Sequence, residues 1–320
     1  MQKPTVIIRT ALGSEHIERL NAQCNVVDLT HKTHWEQAVI DRYPQAYAIL
    51  TNGHDGASRH LIESLPNLHI IACNGVGYDA VDVQAAIESN IVVTHTPNVL
   101  NKDVANTTIM LLLAISRRLV HDMNWIKEGS WVTQGSAPLT DSIEGKQVGI
   151  VGMGRIGQEI AHKLSVFNCH VSYHSRTQKP HLPYPYIDCL TTLAEQADYL
   201  IVITVGDAST YQLINRNVIN ALGKNGTLIN MARGSVVDQN ALVDALLKGH
   251  LGAAALDVFD DEPNTPQELN DLDNVIMLPH VGSATKETRF AMGELTVNNV
   301  LNMIDKKKPC TPVIECVDSL

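Results

Sequence analysis

At 320 residues the chain is longer than one hydrophobic core usually serves, so two domains are expected. A hydrophobic fraction of 44% is too high for a disordered chain, and a net charge of −10 lacks the basic stripe of a nucleic-acid-binding surface. Six cysteines without any CxxC spacing point to free thiols in a reducing compartment and away from a disulfide framework.

The opening residues, MQKPTVIIRT, enter an apolar β-branched run directly, without the apolar core and small-residue cleavage site of a secretory leader. A cytoplasmic protein is expected. The most apolar helical stretch, 109–115, is too short to cross a bilayer. Four runs, TVIIRT, AYAILT, HIIACN and IVVTHT, read as buried strands, each followed by a Gly- or Asn-bearing turn and a helical stretch. That alternation predicts a parallel sheet covered by helices. Gly75 and Gly77 stand where the third of these runs ends, so backbone amides there can approach a ligand. After Pro97 a single long helix is expected over 101–119, with Val104, Thr108, Leu111, Leu112, Ile115 and Leu119 on its apolar face and Arg117 and Arg118 at its end. A looser stretch, GSWVTQGSAPLTDSIEGK, leads to a second series: QVGIVG, HVSYHS, YLIVIT, GTLINM, GAAALD and NVIMLP. These supply the six strands of a dinucleotide fold. A last helix, 286–304, is expected to return with the tail TPVIECV to the first domain, and the Lys306-Lys307-Lys308 run reads as its solvated end. The predicted architecture is α/β, with two Rossmann-like, doubly wound parallel-sheet domains. One is a discontinuous, flavodoxin-like substrate domain over 1–98 and 285–320; the other is a continuous dinucleotide-binding domain over 99–284.

The segment VGMGRIG gives Gly152-x-Gly154-x-x-Gly157 between a strand and a helix. Gly152 allows the tight turn, Gly154 lets the backbone reach a pyrophosphate, and Gly157 lets helix and strand pack closely. Arg155 and Ile156 then open a helix whose free N–H groups and positive dipole end face the anion. The second strand ends at Ser175-Arg176-Thr177. An NAD site usually carries an acidic residue there for the ribose 2′-hydroxyl; a serine followed by a guanidinium suits a 2′-phosphate instead. NADPH is the favoured cofactor, with NADH as the alternative.

Three further residues follow successive strands of the second series: Arg233 after GTLINMA, Glu262 in LDVFDDEP, and His280 at the end of VIMLPH. Reducing a keto acid needs a cation to bind the carboxylate and polarise the carbonyl, which suits Arg233. It needs a proton donor active near neutrality, which suits His280. It also needs a carboxylate to orient the imidazole, which suits Glu262.

On VGMGRIGQEIA, NMARGSVVDQNAL, GAAALDVFDDEP and MLPHVGSAT, the chain resembles the D-isomer-specific 2-hydroxyacid dehydrogenase family over essentially its whole length. The resemblance implies that Arg233, Glu262 and His280 form the catalytic triad and that the amides of Val76 and Gly77 bind the substrate carboxylate. It implies an Asp257 near the nicotinamide amide, and cofactor contacts at Val104, Gly154, Arg155, Ile156, Val205, Gly206, Thr210, Met231, Ala232 and Gly282. One departure stands out: the loop TVGDAST replaces the Pro-containing loop, such as PLTPET, of many members. TPNVLNKDVANTTI, EGSW, SYHSRT and the ending TPVI are most similar to NADPH-using glyoxylate/hydroxypyruvate reductases and their aryl-pyruvate-reducing relatives. Small 2-keto acids are therefore the expected substrates, with a larger one, 2-ketogluconate or an aryl pyruvate, as the alternative. Asn52, Gly53, Tyr78 and Trp131 are the pocket residues expected to decide between them. A nucleotide-sensing binding protein on the same fold is the rival from another class. The resemblance further implies a homodimer, with the helix at 101–119 and the Trp125/Trp131 segment either at its interface or packed within one subunit.

Overall fold

The computed structural model describes residues 3–319; the expected domain limits at Met1 and Leu320 lie outside the described residues. The chain forms two compact units, one running to Leu100 and resuming at Ala284, the other Asn101–Ser283.

The first unit runs β1 (Thr5–Ile8), α1 (Ser14–Gln23), β2 (Asn25–Asp28), α2 (Trp35–Arg42), β3 (Ala46–Thr51), α3 (Arg59–Glu63), β4 (Ile70–Cys73), α4 (Val83–Glu88) and β5 (Val92–Thr94). All pairings are parallel, in the order β2-β1-β3-β4-β5. This is the flavodoxin-like order, with its switch point between β1 and β3. Four strands are the expected runs. The fifth, β2, escaped the sequence reading because NVVD carries two apolar residues on a partly exposed edge. Ile7, Ile49, Leu50, Ile70 and Ile71 are fully buried, each contributing about 1.5–3 kcal/mol relative to exposure. The helix at 286–306 joins this same core through Val297, Val300 and Leu301, and the tail adds Val313. The tail adds an antiparallel bridge, Thr94 to Pro312, and the Val313 amide donates to the Val93 carbonyl at 3.0 Å.

The second unit opens with α5 (Asn101–Ser116), α6 (Leu119–Lys127) and α7 (Ser130–Gln134). It continues β6 (Gln147–Val151), α8 (Arg155–Ser165), β7 (His170–His174), α9 (Leu190–Gln196), β8 (Tyr199–Val202), α10 (Arg216–Leu222), β9 (Thr227–Asn230), α11 (Gln239–Leu247), β10 (Ala253–Leu256) and β11 (Val275–Met277). The later helix at 286–306 is α12 (Lys286–Lys306). The sheet is parallel, ordered β11-β10-β9-β8-β6-β7. All six strands match the expected runs. The six-stranded Rossmann order has its third strand beyond β7; here β11 brings the sheet to six at the opposite edge, and the place beyond β7 is held by a bridge, Tyr173 to Tyr186, with the Ile187 amide donating to Tyr173 O at 2.8 Å. So short a segment has no periodicity to read. The order reverses between β6 and β8, which sets the ligand crevice at their carboxyl ends.

The single helix expected over 101–119 is corrected to two. Helix α5 stops at Ser116, whose hydroxyl takes the Leu113 carbonyl, and Arg118 turns left-handed at φ 49° before α6 begins. A serine hydroxyl competing for a backbone carbonyl is a local stop that the apolar stripe conceals. Leu119, assigned to the buried face, is half exposed, whereas Val104, Thr108, Leu111, Leu112 and Ile115 are buried. The two tryptophans also part company. Trp125 stacks on His121 and donates from Nε1 to Gly135 O at 3.0 Å, whereas Trp131 is 62% exposed. Among the described residues, no helix is long and apolar enough to cross a membrane.

Candidate active site

The glycine motif leaves β6 at the switch point. Gly152 has φ 104°, a conformation that L side chains rarely adopt, and a Cβ there would lie 2.7 Å from the Ile203 carbonyl oxygen. A Cβ on Gly157 would lie 2.2 Å from the Gly152 carbonyl oxygen, so only glycine lets α8 pack this closely on the turn. Gly154 differs: a Cβ there would meet nothing within 4 Å, so the space beside the helix start is open. Helix α8 buries Gly157, Ile160, Ala161 and Leu164, which leaves Arg155 and Ile156 to open its N-terminus. A tight turn, a close helix and an open approach to free N–H groups fit a dinucleotide pyrophosphate.

At the end of β7, Ser175 donates from Oγ to the Thr177 carbonyl at 2.8 Å, and its own carbonyl accepts from the Tyr186 hydroxyl. Arg176 and Thr177 are exposed, and no carboxylate takes the serine's place at the strand end. Across the switch point, the Ser209 hydroxyl holds the Asp207 carboxyl below its usual range, with the Arg176 charge a smaller contributor. The loop holding Val205 and Gly206 is closed by Thr210, whose Oγ donates to Val205 O at 2.9 Å and accepts from the Asp207 amide. Val205 itself is exposed.

Four expected cofactor residues converge. A Cβ on Gly282 would meet Asp257 Oδ2 at 2.9 Å, the Met231 methyl at 3.1 Å and Val104 at 3.8 Å. Asp257 is buried, and its two oxygens accept from the Val281 amide at 2.7 Å and the Gly282 amide at 2.8 Å. Its carbonyl accepts from the His280 amide at 2.9 Å. Burial raises the Asp257 carboxyl above its ordinary value despite those bonds. Asp257 therefore clamps the turn that carries His280, a role that sequence spacing did not reveal. The neighbouring Ala232 amide donates to Asn230 Oδ1 at 3.1 Å.

Arg233, Glu262 and His280 follow β9, β10 and β11, which are neighbours in the sheet. His280, in a left-handed conformation (φ 51°), directs Nδ1 to Glu262 Oε2 at 2.8 Å. The other carboxylate oxygen accepts from the Phe259 amide at 3.0 Å, so the backbone fixes the group that fixes the ring. A carboxylate only accepts, so Nδ1 carries hydrogen and Nε2 is the ring's outward nitrogen. The imidazole is nearly half exposed and can meet a ligand. Two glycines seat Arg233. A Cβ on Gly234 would fall 1.9 Å from the Phe259 backbone, so this turn lies directly against the one carrying Glu262. A Cβ on Gly206 would fall 2.5 Å from Arg233 Cγ, so the arginine stem runs over that loop.

The remaining expected residues belong to the first unit. The Asn52 amide is spent on its own turn: Oδ1 accepts from the His54 and Asp55 amides at 2.8 Å, and Nδ2 donates to Asp55 at 2.7 Å. Gly53 lies inside that turn, leaving backbone as its only contribution. Val76 and Gly77 are partly buried just beyond β4.

A dinucleotide cradle beside a carboxylate-held imidazole and an arginine, all on one sheet edge, is the frame of a nicotinamide-dependent dehydrogenase. Residues 109–282 match the D-isomer specific 2-hydroxyacid dehydrogenase, NAD binding domain. The chain is 45% identical to glyoxylate/hydroxypyruvate reductase A of Arabidopsis thaliana over 83% of its length and 85% of that protein. It is 43% identical to hydroxyphenylpyruvate reductase of Plectranthus scutellarioides, over 83% and 85%. Among solved structures it is similar to the NADPH-dependent glyoxylate/hydroxypyruvate reductase of Sinorhizobium meliloti in complex with NADP and malonate, with a TM-score of 0.91, 40% identity and 98% of each chain covered. The chain belongs to the D-isomer-specific 2-hydroxyacid dehydrogenase family.

Proposed function

We propose that this enzyme reduces small 2-keto acids to 2-hydroxy acids with NADPH, glyoxylate to the achiral glycolate and hydroxypyruvate to the D-isomer of its 2-hydroxy acid. The observation that carries the reading is the His280–Glu262 pair at 2.8 Å, beside Arg233 on the same sheet edge. Gly152, Gly154, Arg155, Ile156 and Gly157 hold the pyrophosphate, and Val104, Met231, Ala232, Asp257 and Gly282 line the nicotinamide end. Val205, Gly206 and Thr210 form the loop between, and Ser175, Arg176 and Thr177 take the 2′-phosphate. When bound, the dinucleotide supplies the hydride. Arg233 binds the substrate carboxylate and polarises the carbonyl, and His280 gives its Nε2 proton to the carbonyl oxygen. Glu262 keeps the ring turned for that transfer, and the amides of Val76 and Gly77 hold the carboxylate. NADP in the similar Sinorhizobium meliloti structure supports the cofactor choice.

The residues 1–98 and 285–320 form the substrate domain on this reading, and 99–284 the dinucleotide domain. The homodimer is supported by apolar side chains left exposed along α5 to α7: Met110, Val120, Met123, Ile126, Trp131 and Val132. Sedimentation at twice the monomer mass tests it, and a monomer refutes it. Six free cysteines support a cytoplasmic setting. Hydroxyphenylpyruvate is the second substrate reading, favoured by the 43% identical relative.

The test is a kcat/KM panel of glyoxylate, hydroxypyruvate and hydroxyphenylpyruvate with NADPH and NADH, the products of the latter two keto acids resolved by chiral chromatography. Binding of NADPH without turnover of any keto acid would favour the nucleotide-sensing rival. Arg176→Ala is expected to cut the NADPH preference roughly 10- to 100-fold, the worth of a charge-assisted hydrogen bond; an unchanged NADPH/NADH ratio removes Arg176 from the cofactor site.

A further inference from the structure

The loop after β4 is tied down through its carbonyls. The Thr96 amide donates to Gly75 O at 2.8 Å, His95 Nδ1 meets Val76 O at 3.0 Å, and the Cys73 thiol donates to Gly77 O at 3.2 Å. A carbonyl oxygen only accepts, so His95 carries hydrogen on Nδ1 and is the donor. The geometry of the peptide unit gives these bonds a second effect. A carbonyl and the next residue's N–H lie in one rigid trans plane and point in opposite directions. Fixing Gly75 O therefore aims the Val76 N–H, and fixing Val76 O aims the Gly77 N–H away from the imidazole. Neither amide donates to any group among the described residues.

His95 is itself held from several sides. Its amide donates to the Thr311 carbonyl at 3.2 Å, and its carbonyl accepts from the Thr311 hydroxyl at 2.6 Å. Asn299 of α12 fixes that segment by accepting from the Cys310 and Thr311 amides at 2.8 and 2.9 Å. The Tyr78 ring meets the imidazole edge-on, with centroids 5.4 Å apart, and its hydroxyl donates to Glu315 at 3.1 Å. Burial, with Glu315 second, pushes the Tyr78 phenol up to about 12, so it stays a donor through the neutral range.

We propose that His95 is a positioning residue for the substrate carboxylate: by holding the Val76 carbonyl it aims the Gly77 N–H, beside the Val76 N–H aimed by Thr96. This rests on the reading that those two amides receive the carboxylate. Donors aimed in advance stabilise an anion without reorganisation when it arrives.

The test uses the full-length enzyme. His95→Ala is expected to raise the KM for glyoxylate roughly 3- to 10-fold, the worth of one neutral hydrogen bond, with kcat and the NADPH KM within about 2-fold. His95→Asn sets an amide nitrogen where Nδ1 stood and restores the wild-type KM; His95→Gln, whose nitrogen reaches the Nε2 position, does not. In parallel, hydrogen–deuterium exchange follows the peptide bearing Val76 and Gly77 with NADP+, with and without oxalate. Oxalate is expected to slow exchange in the wild type and to do so less in His95→Ala. Exchange unaltered by oxalate in the wild type overturns the carboxylate reading itself. Protection in the wild type with an unchanged KM in His95→Ala, or an Asn variant no better than Gln, overturns the role of His95 alone.

Discussion

Replacing Glu262 by glutamine changes neither size nor shape and removes one acceptor. The Phe259 amide needs an acceptor from this side chain, and His280 Nδ1–H needs the other. A carboxamide has a single oxygen. If it serves Phe259, its NH2 faces Nδ1–H and two donors meet; if it flips to serve His280, the Phe259 amide loses its partner. Either way one bond to a charged acceptor is lost, worth about 1.5–3 kcal/mol. At about 1.4 kcal/mol per decade this is roughly a 10- to 150-fold fall in kcat/KM. Stopped-flow reduction of hydroxypyruvate measures it, with NADPH affinity by fluorescence as the control. Turnover above a third of wild type, with NADPH bound normally, would show that ring orientation does not limit the reaction.

Other perturbations test the surrounding frame. Gly206→Ala sets a methyl 2.5 Å from Arg233 Cγ, so the guanidinium shifts and the keto-acid KM is expected to rise about 10-fold, the cost of a weakened charged contact; an unchanged KM dismisses Gly206 as the arginine's seat. Gly157→Ala meets the Gly152 carbonyl at 2.2 Å, and overpacking of about 1–3 kcal/mol lowers Tm by several degrees. Differential scanning calorimetry should show that loss together with weakened NADPH binding, and a wild-type Tm contradicts it. Burial holds the Asp257 carboxyl above its ordinary value, so the native state binds this proton more tightly than the unfolded chain does. Its share of stability is present below the unfolded value of about 3.9 and lost as pH rises through the raised one. Asp257→Asn removes that dependence, and melting curves that stay parallel for the two proteins across this window oppose the assignment.

Strand-length apolar runs made most of the fold legible, because both faces of a parallel sheet are buried and such runs are mostly apolar. Where burial was partial the reading thinned. The edge strand β2 carries two apolar residues, and the bridge at Tyr186 carries no pattern at all. The break at Arg118 was hidden because Leu119 extends the apolar spacing of α5 while lying half exposed. In the site, residue types that carry chemistry announced themselves: Arg233, Glu262 and His280 stand at strand ends, and the glycine spacing speaks for the turn after β6. What the sequence conceals is support. Asp257 clamping the His280 turn, Gly234 seating one turn on another, and His95 tying the Val76 carbonyl all act through backbone groups, which every residue possesses and no motif distinguishes.

The core of the first unit closes only with Val297, Val300 and Leu301 of α12 and Val313 of the tail. On the ribosome, the early strands emerge long before those side chains exist, whereas residues 101–283 are complete as soon as they are made. The dinucleotide half is thus free to mature first, while the amino-terminal strands wait with an unfinished apolar face for the last part of translation. A chain ending before Lys286 is expected to keep that apolar face exposed, which limited proteolysis reads.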